Sequence, residues 1–132
     1  MNKLTPEQIT MTYNRIAGTH YTVDAPEIDR AALRDIIALA WKKTDDGQYY
    51  TYTDIQKKSA VQCLEIVRRR PFPNNNVKTA ILSTITMLEL NGIYLKLDAE
   101  QTAELFHRLG DPQAAYDEIS EWIRSHTLKS ME

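Results

Sequence analysis

Cysteine is nearly missing from this chain: Cys63 stands alone among 132 residues. A single thiol excludes an intrachain disulfide and any cysteine zinc cluster, and in a helical pattern it reads as a small buried apolar side chain. Histidine is almost as scarce. His20, His107 and His126 are the whole supply, so few side chains can take up a proton near neutrality. No apolar run is long enough to span a bilayer, and no basic-apolar-small leader opens the chain. A cytoplasmic protein without a membrane partner is the expectation. A formal net charge of -2 argues against general nucleic-acid binding. Alternating patterns, internal repeats and low-complexity segments are also absent, which leaves little for a β architecture to be built from.

What is present is helical periodicity, five or six times over. Thr5-Pro6-Glu7-Gln8 forms a capping box with proline at the first helical position, and Gly18 ends that helix. A second helix is expected from Pro26 or Ile28 to Lys43. The third starts near Thr53 or Asp54 and ends in Arg68-Arg69-Arg70, where cations oppose the negative end of the dipole. The fourth, from about Asn75 to Asn91, is apolar on most sides and is expected to be the buried central helix. Asp98-Ala99-Glu100-Gln101 opens a fifth, broken by Gly110-Asp111-Pro112, and the last carries Tyr116, Ile119, Trp122 and Ile123. These patterns predict one all-α domain over 1–132, a compact bundle of about six helices around a buried central helix. The tail after about 126 is expected to be flexible.

The most informative segment runs from Arg70 to Thr79. Pro71 and Pro73 cannot continue a helix. Asn74, Asn75 and Asn76 follow, residues that supply N-cap oxygens and tolerate left-handed backbone. A helix start of this kind, with unpaired N–H groups and Lys78 just inside, suits phosphate. The bland alternative is a well-capped helix with solvated arginines.

This segment resembles the Fic/Doc family, and specifically its short Doc-like branch, whose loop carries H-x-F-x-D-G/A-N-G/K-R-T before a central helix. The same frame here holds Arg70, Phe72, Asn74, Asn75, Asn76, Val77, Lys78 and Thr79. The stretches Leu88–Leu95 and Asp117–Ile123, and the opening Leu4–Ile9, also look like their counterparts. The resemblance implies transfer of phosphate or of a nucleoside monophosphate from a nucleotide to a hydroxyl of a target protein. Carried over, Phe72 anchors the loop, and Asn75, Asn76, Lys78 and Thr79 bind the phosphates.

Two role-bearing positions have changed. Arg70 stands at the family histidine, and a guanidinium does not release its proton to act as a base. Losing a general base costs roughly two to four orders of magnitude in rate. Asn74 stands at the acidic magnesium ligand and brings no charge. No catalytic residue is therefore assigned, and no metal ligand. The resemblance implies ATP or another nucleotide as ligand, with magnesium weakened or lost. Tyr49, Tyr50 and Thr51 fall where the family has a flap that aligns the target segment. The S/T-x-x-x-E-G/N inhibitory motif does not occur, so control would come from an antitoxin-like partner in trans. The expected function is that of a degenerate Fic/Doc-like protein acting by binding, in a toxin–antitoxin or phage setting. The alternatives are an active transferase with a relocated base, and a purely structural interaction module.

Overall fold

Local capping explains where most helices begin. In the computed structural model, which describes residues 1–129, helix α1 spans Pro6–Ala17. Thr5 Oγ1 accepts the Gln8 amide at 3.1 Å, and Gln8 Oε1 accepts the Thr5 amide at 2.8 Å. Asp98 and Gln101 repeat this reciprocal arrangement ahead of α5, Ala99–Leu109. Asp54 caps α3, Ile55–Arg69, through the Lys57 amide at 2.7 Å. Such caps are worth about 1 kcal/mol each. Helix α2 spans Arg30–Ala40, shorter at both ends than its apolar pattern. Asp29 takes the cap position by accepting the Ala32 amide. At the other end, Lys42 and Thr44 leave the helix to bond with Thr51 and Tyr49.

The architecture is all-α, with helices α4 (Asn76–Leu90) and α6 (Tyr116–Ser125) completing six among the described residues. Buried side chains from all six helices form one core. No helix among the described residues is long and apolar enough to cross a membrane. The central position belongs to α3 and not, as expected, to α4. Helix α3 packs against α2, α4 and α6, and every residue from Lys58 to Ile66 is buried. Helix α4 packs on α3, α1 and a short strand, and leaves Leu82 and Leu90 more than two-fifths exposed. Apolar composition alone does not say which sides of a helix have neighbours. The polar Lys58, Ser59 and Gln62 hid the true centre.

The expected flexible tail is partly ordered. Strand β1, Ile93–Leu95, pairs antiparallel with β2, Thr127–Lys129, in the register Tyr94↔Leu128. Residues 130–132 of that tail lie outside the described residues.

Candidate functional site

The turn between α3 and α4 is held by main-chain and side-chain bonds that leave its charges free. Arg70 closes α3 in the left-handed region, φ 50° and ψ 61°, with its amide on the Ile66 carbonyl. Asn75, just before α4, is left-handed too, at φ 53°. These are the only non-glycine residues with positive φ among those described; asparagine tolerates that region, whereas Arg70 carries backbone strain there. Between them the chain is pinned. The Pro71 carbonyl accepts the Asp29 amide at 2.8 Å. Phe72 is buried and stacks on Tyr13, with ring centroids 4.5 Å apart.

Asn76 is the clasp of this loop. Its Oδ1 accepts the Phe72 amide at 3.0 Å and its Nδ2 donates to the Phe72 carbonyl at 2.9 Å. Asn74 Oδ1 accepts the Tyr13 hydroxyl at 3.1 Å and the Asn75 amide group at 2.8 Å. None of the three asparagines caps α4 with its side chain, contrary to the expectation from their sequence position. The first-turn amides of Asn76, Val77 and Lys78 consequently have no acceptor among the described residues.

These groups border a cavity of about 740 Å³. Val67, Val77 and Phe106 supply apolar wall; Arg68, Arg70 and Lys78 supply charge. Of the arginine run, Arg69 is tied to Glu65 at 2.9 Å, and Arg68 reaches the Ala114 carbonyl and Glu65. Arg70 and Lys78 are exposed and pair with no carboxylate among the described residues. Among the described residues, no carboxylate, imidazole or thiol lines the cavity.

Several sequence-predicted site residues sit elsewhere. Thr79 is fully buried, its hydroxyl has no hydrogen-bond partner, and it does not line the cleft; the phosphate role assigned to it is not supported by its position. Asn76 borders the cleft, but its amide is engaged by Phe72. Tyr49, Tyr50 and Thr51 do not border it either. Tyr50 lies over Lys58 Nζ at 4.1 Å, in the first turn of α3, whereas Arg70 ends that helix. At 1.5 Å per residue the two are roughly 18 Å apart along the axis. The histidines stay apart as well. His107 and His20 are exposed away from the cleft, and His126 stacks on Trp122 at 3.9 Å with Nδ1 against the Trp122 carbonyl.

Tyr13 is the site residue the sequence concealed. It supports the loop from α1, where nothing in the local pattern marks it, and its hydroxyl contact lies 61 positions away. Phe106, the distal wall, was hidden in the same way within α5. The chain matches no known family model and no curated protein.

Proposed function

We propose that this chain is a catalytically silent derivative of the Fic/Doc scaffold that binds a phosphate-bearing anion and works through binding a protein partner. One observation carries the anion part: Arg70 and Lys78, neither paired with a carboxylate among the described residues, border one cleft whose described lining holds no carboxylate, imidazole or thiol. An anion drawn to two exposed, unpaired cations and three open amides is favourable. No carboxylate, imidazole or thiolate among the described lining residues is there to take a proton from an acceptor hydroxyl. Arg70 thus takes on a binding role at the position where the resembling family places its base. The cleft suits the anionic part of a nucleotide, with Phe106 and Val77 available to an apolar portion. The antitoxin-like or target partner remains part of the proposal through the exposed pair Tyr94 and Leu128, which face each other across the β ribbon.

The test is thermal denaturation of the full chain with inorganic pyrophosphate. A ligand at a hundred times its Kd stabilises by about 2.7 kcal/mol. A saturable rise in Tm is expected, lost in the Arg70→Ala/Lys78→Ala double variant. No rise in the unaltered chain would count against anion binding and leave the interaction-module alternative.

A further inference from the structure

We propose that the Arg70–Lys78 cleft takes its ligand free of divalent metal, so that magnesium opposes binding instead of supporting it; this rests on the anion proposal above. The resemblance implies a magnesium ion on the acidic residue of the loop, and the residues present do not fit one. Asn74, at that position, offers a neutral oxygen already occupied by the Tyr13 hydroxyl and the Asn75 amide. The Asn76 oxygen is turned to the Phe72 amide. Glu65, the carboxylate of α3 closest in sequence to the loop, is buried and taken up by Arg69 and the Tyr116 hydroxyl, both at 2.9 Å. Among the described residues no group of three or more His, Cys, Asp or Glu is arranged to hold a metal.

Magnesium demands near-octahedral oxygen ligands, commonly protein carboxylates together with substrate phosphates. In this cleft only the ligand would supply them. The charged groups on the protein side are all positive: Arg70 and Lys78, Arg68 beside them, and the amide end of α4. A metal carried in on the ligand would cancel the negative charge these groups recognise, and would itself be repelled by them. Family-type sites use the metal to join protein and phosphate. Here Arg70 and Lys78 stand in for the ion.

The measurement is calorimetric titration of the full chain with inorganic pyrophosphate, a strong magnesium chelator. One arm contains EDTA and the other saturating magnesium, at matched ionic strength. The expected Kd is at least about tenfold weaker with magnesium, equivalent to about 1.4 kcal/mol. Inorganic phosphate, which chelates magnesium weakly, should change much less. Equal or tighter pyrophosphate binding with magnesium overturns this proposal and leaves anion binding intact. Absence of binding in both arms overturns the anion proposal, and this one with it.

Discussion

Asn76 shows how a single residue can match a family frame and yet serve another end. Its amide closes a two-point clasp on the Phe72 main chain, and both partners are buried. Replacing Asn76 with Ala strands a buried N–H and a buried carbonyl together. Leaving such a group unpaired costs about 1–3 kcal/mol, so Asn76→Ala should lose about 2 kcal/mol or more of stability in urea unfolding. Pyrophosphate binding should weaken too, because the clasp sets the direction of the α4 amides. Asn76→Asp keeps the acceptor but lacks the donor, and it places a carboxylate on a largely buried position. It should be no better tolerated. A loss below about 0.5 kcal/mol for Asn76→Ala would mean that the Phe72 groups find other partners.

At the scale of elements, helix existence was legible because caps and breakers are local. Thr5, Asp54, Asp98, Gly18 and Gly110 each act within a few residues of their own position. The α3–α4 turn was legible for the same reason. Centrality was not, since it depends on which neighbours dock on a helix, and the apolar α4 outshone the polar-flecked α3. The surroundings of the aromatic stretch after α2 were illegible for a similar reason: Tyr50 belongs to a box around Lys58, which only the folded chain assembles. Lys58 is buried, with Trp41 and Tyr50 ring centroids 5.3 and 4.1 Å from its Nζ, and that amine donates to the Tyr52 carbonyl. Burial pushes the amine below the usual lysine range, against an opposing pull from Asp54.

Lys58→Met keeps the length of the stem and removes the charge. Cation–π attraction of about 0.5–2 kcal/mol is lost, while the cost of burying an amine is also removed. Global stability should therefore move by about 1 kcal/mol or less. The loop, in contrast, loses its clamp. Amide exchange should accelerate at Thr44 and Thr51, whose bonds to Tyr49 and Lys42 close the short hairpin. Unchanged exchange at both amides would show that Trp41–Tyr50 edge packing alone holds the loop.

For the whole molecule, the buried acids set how the fold responds to alkali. Burial pushes the Cys63 thiol from its ordinary value near 9.0 up to about 12, a contact with Thr84 opposing only in part. Burial, aided by the Glu65 carboxylate that accepts its hydroxyl, also pushes Tyr116 up to about 12. Both groups are neutral when protonated, and the folded state holds their protons more tightly than the unfolded chain. Their contribution is fully present below the unfolded values, near 9.0 for the thiol and 10.0 for the phenol, and is lost as pH rises towards about 12. Lys58 acts in the opposite sense, because its burial cost vanishes once it is neutral. Tyr13 is pushed upward as well, chiefly by burial; three upward-shifted acids outweigh one shielded amine, so stability should fall steadily above pH 9. Cys63→Ala separates the causes. It should cost about 1–2 kcal/mol at pH 7 through the missing sulfur and then lose less than the unaltered chain between pH 9 and 11. Urea midpoints measured across that range check it. Parallel curves for the two proteins would assign the alkaline loss to the phenols of Tyr116 and Tyr13, whereas a flatter curve for Cys63→Ala places it at the α3 thiol.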